Sequence, residues 1–100
     1  MLVSRRFFPP RDPAAEPVCL LTKEWAARRR EPVDTLLTLS NAQLMLVNGI
    51  EYRFPLSTGI GQRIDTFIAE EAECCPFLAF ETFEEAGDAV LRITQPAEDT

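Results

Sequence analysis

A chain of 100 residues with 46% hydrophobic residues has the length and composition of one compact domain. Its net charge of −6 argues against a nucleic-acid-binding surface, which needs a basic face, and its apolar runs are too short to span a membrane. The absence of histidine excludes Ser-His and Cys-His catalytic pairs and mixed Cys/His zinc sites.

The ends of the chain are predicted to lie outside this domain. Four prolines fall in residues 1–17, which predicts an irregular arm, and residues 97–100 are predicted to form a polar tail. Residues 18–96 are then the single domain. The N-terminus lacks the long apolar stretch of a secretory signal, so we expect a cytoplasmic protein whose three cysteines stay reduced.

The domain is predicted to begin with a helix. Thr22 is a suitable N-cap for residues 23–30, which are good helix formers. Pro32 then either kinks this helix or begins a second one over residues 33–39.

A β-hairpin is predicted next. Residues 43–47 and 50–54 flank Asn48-Gly49, a pair that strongly favours a tight hairpin turn. Pro55 is expected to end the second strand.

A second helix and a second strand pair complete the prediction. The helix begins near Thr58 or Gly61 and runs to Cys75, where Pro76 stops it. Residues 77–84 and 89–94 are predicted strands that turn through residues 86–88. The predicted fold class is α+β in α-β-β-α-β-β order, with two antiparallel hairpins in one sheet and the helices on one face.

Cys74 and Cys75 are adjacent at the end of this helix and are the candidates for a binding site. Their Cα atoms lie about 3.8 Å apart across a trans peptide bond, below the roughly 4.4–6.8 Å that ordinary disulfides span. Two thiols that cannot readily bond to each other favour a soft metal or metalloid ion as ligand. On a helical wheel both border the apolar stripe, with Glu71 between them, so Glu71 is a candidate ligand or proton acceptor.

The charge around the two thiols argues against redox catalysis. The C-terminal end of the helix dipole, together with Glu70, Glu71 and Glu73, favours the thiol over the thiolate. A soft metal ion displaces thiol protons when it binds, so ion capture fits this setting better than redox turnover.

Residues 71–80, Glu-Ala-Glu-Cys-Cys-Pro-Phe-Leu-Ala-Phe, resemble a segment of a group of small, largely uncharacterised bacterial proteins. In that group a Glu-x-Glu-Cys-Cys-x-Phe motif precedes a hairpin that ends in Leu-x-Ile-Thr-x-Pro, as at residues 91–96 here. An early Cys-x-Leu-Thr segment is matched by residues 19–22, although Pro32 departs from the longer first helix of the group. The group is associated with heavy-metal resistance, mercury especially, so the resemblance implies that Cys19 acts together with Cys74 and Cys75.

The leading hypothesis is a binding protein for a soft ion, mercury(II) or arsenite, that sequesters it or hands it to a metal-resistance partner protein. Cys74 and Cys75 are the predicted ligands, Cys19 is the third thiolate, and Glu71 is a further candidate. Zinc would need a fourth ligand, from Glu71 or a water. No catalytic residue and no organic cofactor are predicted.

Two alternatives stay open. The first is a protein-interaction module, a homodimer, whose cysteines fill the core, since a buried cysteine behaves as a small hydrophobe. The second is a thiol-dependent enzyme that cleaves a carbon–metal bond with Glu71 as proton donor. That enzyme would need a pocket beside the thiols large enough for an organic group.

Overall fold

The computed structural model describes residues 5–12 and 36–95. Their elements, in chain order, are β1 (Arg6–Phe8), β2 (Ala42–Leu46), β3 (Gly49–Pro55), α1 (Ile60–Cys74), β4 (Ala79–Glu85) and β5 (Asp88–Thr94). The strands form one antiparallel sheet in the order β1-β4-β5-β3-β2. The fold is therefore mixed α+β, and none of its described helices has the length and apolarity needed to cross a bilayer.

The order of the elements differs from the predicted α-β-β-α-β-β. β1 lies within residues 1–17, where we expected an irregular arm, and pairs with β4 so that Phe8 lies opposite Phe80. Phe8 packs against the core, and Pro9 and Pro10 follow the strand without interrupting it, so these residues can form a strand. Of the predicted first helix, residues 36 and 37 are helical and residues before 36 lie outside the described part of the chain.

The β2–β3 hairpin turns one residue earlier than predicted. Leu46 pairs with Gly49, so Val47 and Asn48 form the turn in place of Asn48-Gly49. A Cβ atom on Gly49 would lie 2.0 Å from the carbonyl oxygen of Ile93 on β5. Gly49 is therefore required by the close approach of a neighbouring strand.

The β4–β5 hairpin has a two-residue turn at Ala86 and Gly87. Both residues have positive φ, 53° and 81°, as a type I′ turn requires. The strands run from Ala79 to Glu85 and from Asp88 to Thr94, which shifts the predicted starts and ends by one or two residues.

α1 packs its apolar stripe against one face of the sheet. It begins after Gly59, whose φ of 85° suits glycine, and ends at Cys74 just before Pro76. The buried side chains of the helix are Ile60, Ile64, Phe67, Ile68, Ala72 and Cys74. The first five pack against the sheet residues Phe54, Phe80, Ala89 and Leu91. Full burial of a large apolar side chain contributes about 1.5–3 kcal/mol, so this layer holds the end of α1 in place.

Candidate metal centre

The last turn of α1 brings Glu71, Cys74 and Cys75 together. Residues spaced i, i+3 and i+4 share one face of a helix, which explains why these three side chains converge. The backbone N–H of Cys75 donates to the carbonyl oxygen of Glu71 at 2.7 Å. Cys75 is therefore the C-cap of α1 and stays bonded to its last turn, although its φ of −126° and ψ of 73° are not helical. One ligand atom from each of the three side chains lies within 4.8 Å of the other two.

Both sulfur atoms are enclosed by protein. Cys74 is 1% exposed and Cys75 is 0% exposed, whereas Glu71 is half-buried. This agrees with the prediction that the two thiols lean toward the core. An ion held here would be shielded from bulk water on the sulfur side, and the carboxylate would form its more solvated side.

The two cysteines differ in oxidation state. Cys74 carries a reduced thiol, whereas Cys75 is disulfide-bonded. The expectation that all three cysteines stay reduced is therefore wrong for Cys75, although adjacent thiols do avoid bonding to each other, as predicted.

Glu71 contacts the sulfur of Cys75 directly. Oε1 of Glu71 lies 3.4 Å from Sγ of Cys75. A disulfide sulfur has no proton to donate, so in this state the contact is a sulfur–oxygen approach and not a hydrogen bond. After reduction the Cys75 thiol can donate to the carboxylate, which makes Glu71 the nearest described acceptor for the proton that a metal ion would displace.

The size of the cluster suits one ion. Thiolates lie about 2.3 Å from zinc, so two sulfurs on the same ion are separated by at most about 4.6 Å. The ligand atoms of Glu71, Cys74 and Cys75 lie within 4.8 Å of one another, which is close to this limit.

The N-terminal segment runs beside this site. The backbone N–H of Asp12 donates to the carbonyl oxygen of Pro76 at 3.0 Å. Arg6 on β1 forms an ion pair with Asp65 on α1, which joins the same segment to the helix. Cys19, the third predicted ligand, lies outside the described residues.

A buried carboxylate on the opposite face of the sheet was missed by the sequence reasoning. Glu51 is 2% exposed and accepts hydrogen bonds from Arg92 Nε at 2.8 Å and Arg53 Nε at 3.1 Å. Burial raises the pKa of Glu51, but the hydrogen bonds from Arg92 and Arg53 outweigh it and hold the pKa below its ordinary value. The arginines are themselves paired with Glu81 and Glu85, so this is a structural ion network. A signal was available, because Glu51 and Arg53 alternate with the apolar residues of β3.

Two cavities lie between α1 and the sheet. One lies between β1 and α1 and is lined by Phe8 and Ala72 among others, and a second is lined by Ile60 and Val90 among others. Neither is lined by a residue of the cluster.

Comparison of the chain with protein-family models, with curated proteins and with solved structures finds no match. The chemistry of the site must therefore carry the functional argument.

Proposed function

We propose that this protein binds a soft metal or metalloid ion, mercury(II) or arsenite, and sequesters it or hands it to a partner protein. The observation that carries the proposal is the cluster of Glu71, Cys74 and Cys75, whose ligand atoms lie within 4.8 Å of one another. Thiolates are soft ligands and favour soft ions over magnesium or calcium, which prefer oxygen ligands.

The burial of the two sulfurs suits a divalent ion, and the small number of ligands favours mercury(II) over zinc. Two thiolates and one dication form a neutral group. Cys74 is 1% exposed and Cys75 is 0% exposed, and a neutral group there avoids the large free-energy cost of burying an isolated charge. Glu71 can add a weaker oxygen ligand from the half-buried side. Zinc prefers four ligands, so it would need a water or a further residue besides Glu71, Cys74 and Cys75.

Arsenite requires a third thiolate ligand. Its three hydroxyl groups are replaced by three thiolates, with three water molecules released, so it requires Cys19 in addition to Cys74 and Cys75. The composition of the chain and its length support Cys19 as the third ligand. Cys19 is the one cysteine of the sequence besides Cys74 and Cys75. The seven residues from Asp12, which is hydrogen-bonded to Pro76, to Cys19 can span up to about 25 Å, enough to reach the site.

Ion binding in this scheme requires a reduced protein. A sulfur in a disulfide cannot be a thiolate ligand, so the disulfide must first be reduced. An external dithiol supplies the two electrons and two protons by thiol–disulfide exchange, which yields two thiols on the protein and the oxidised reductant. We therefore expect tight binding in the reduced chain and much weaker binding in the oxidised chain, where Cys74 is the one remaining thiol at the cluster.

The test is native mass spectrometry of the full chain, oxidised and fully reduced, with mercury(II), arsenite or zinc. A small monothiol such as glutathione is present in excess. It removes any ion that the protein binds no more tightly than an isolated thiol does. The variants are Cys74→Ser, Cys75→Ser and Cys19→Ser. Met45→Leu is the control, since it removes an exposed thioether sulfur, 74% exposed, that lies outside the cluster.

One retained equivalent of mercury(II), lost in Cys74→Ser and Cys75→Ser but kept in Met45→Leu, is the expected result. Weakening by Cys19→Ser would extend the site to three thiolates, and full retention in that variant would reduce it to two. If the reduced protein holds no ion in the presence of the monothiol, the proposal is wrong.

A further inference from the structure

We propose that the outer edge of β2 binds the same edge of a second copy of this chain. The two strands would pair antiparallel about a two-fold axis and join two five-stranded sheets into one. This inference rests on the sheet alone and does not depend on metal binding.

The two edges of the sheet are built differently. The β1 edge is three residues long, carries Arg5 and Arg6, and is followed by Pro9 and Pro10. Short length, charge and proline are the usual features that prevent an edge strand from pairing with another chain. β2, the opposite edge among the described strands, is five residues long and reads Ala-Gln-Leu-Met-Leu, with neither charge nor proline.

Exposed apolar side chains are concentrated at the same edge. Among the described residues, six large hydrophobic side chains are exposed, and four of them fall within residues 39–47. The four are Leu39 at 44%, Leu44 at 56%, Met45 at 74% and Val47 at 107%. Leu44 and Met45 point to opposite faces of the sheet, so a paired strand would cover apolar surface on both sides.

A second copy is the occupant that this strand fits best. With the two-fold axis at Leu44, that residue faces its own counterpart, and Gln43 faces the counterpart of Met45. Each chain carries a net charge of −6, but no like charges face each other across this strand pair. Two acidic copies can therefore approach each other at β2. Isologous two-fold pairing is also the commonest arrangement of homo-oligomers.

The expected dimer is weak. A pair of five-residue strands buries less than the roughly 800 Å² per partner of a standard interface, so we expect a dissociation constant on the order of micromolar. The test is sedimentation velocity of the full chain from low to high micromolar concentration, with a reductant present so that intermolecular disulfides cannot form.

Leu44→Lys is the test variant, because it places two ammonium groups opposite each other across the axis at a position where the monomer is 56% exposed. Leu56→Lys is its matched control, since Leu56 is 45% exposed and lies outside β2. We expect the wild-type chain and Leu56→Lys to dimerise equally and Leu44→Lys to raise the dissociation constant at least tenfold. A circular dichroism spectrum matching wild type shows that Leu44→Lys still folds.

Two outcomes would overturn the proposal. One is a wild-type chain that stays monomeric at the highest concentration, in which case the β2 edge is open to a strand from a different protein or to none. The other is a dimer that Leu44→Lys leaves intact, which would place the interface elsewhere on the molecule.

Discussion

Replacing Glu51 with glutamine tests the buried ion network of the sheet. Glu51 is 2% exposed and bonded to Arg92 and Arg53, so its charge is held between two cations away from water. Removing one member of a buried charged group costs up to about 3–5 kcal/mol. Glutamine keeps one carbonyl oxygen as an acceptor, and the arginines keep contacts with Glu81 and Glu85 and with solvent. We therefore expect Glu51→Gln to lower the free energy of unfolding by about 2 kcal/mol at pH 7.

The pH dependence of this loss has a definite sign. The pKa of Glu51 is lowered from an ordinary value of 4.5, so ionised Glu51 stabilises the folded state fully above about pH 4.5. That contribution is lost as the pH falls through the lower, folded-state pKa. The difference in unfolding free energy between wild type and Glu51→Gln should therefore shrink below about pH 4.5.

Urea denaturation followed by circular dichroism, at pH 7 and at steps down to about pH 3, measures both quantities. Glu84→Gln is the control, because Glu84 is exposed on β4 of the same sheet and its replacement should change stability by less than about 0.5 kcal/mol. A loss at pH 7 no larger than that of the control, or a gap that does not close in acid, would refute the assignment of Glu51 as a stabilising ionised group.

Three further predictions concern packing and the metal centre. Gly49→Ala should lower the unfolding free energy by about 3 kcal/mol, because the added Cβ would lie 2.0 Å from the Ile93 carbonyl oxygen. Gly61→Ala is the control: a Cβ there would meet no atom within 4 Å, so we expect the unfolding free energy to rise by up to about 1 kcal/mol. Thermal melts of the two variants would disprove this reasoning if the effects were equal. Phe54→Ala, at a position that is 0% exposed, should cost about 3–5 kcal/mol by urea denaturation, and a loss below about 1 kcal/mol would contradict the described core. Glu71→Gln should lower the affinity of the reduced protein for zinc about tenfold but leave its affinity for mercury(II) nearly unchanged, since zinc favours a carboxylate ligand more strongly. Competition titrations that show equal losses of affinity for both ions would contradict this prediction.

Local features of the sequence were predicted well because their physical causes are local. Pro76 cannot continue a helix, so α1 ends at Cys74 within one residue of its predicted end. Helical spacing alone placed Cys74, Cys75 and Glu71 on one side of α1, and these three side chains do converge. Turn-forming residues likewise located both hairpins to within a residue or two, and together these signals gave the mixed α+β class.

Contacts between distant segments decided the rest. β1 forms because residues 6–8 pair with β4, more than 70 positions away in the sequence. Local propensity contains no information about a pairing over that distance. Glycine is required at position 49 because the Ile93 carbonyl of β5 lies so close. Glu51 can be buried because Arg92, also on β5, donates a hydrogen bond to its carboxylate. The sequence by itself determined where α1 and the two hairpins form and which thiols share a helix end. Only the tertiary structure decided which surfaces meet, because the free energy of burial and ion pairing depends on neighbours that are close in space and remote along the chain.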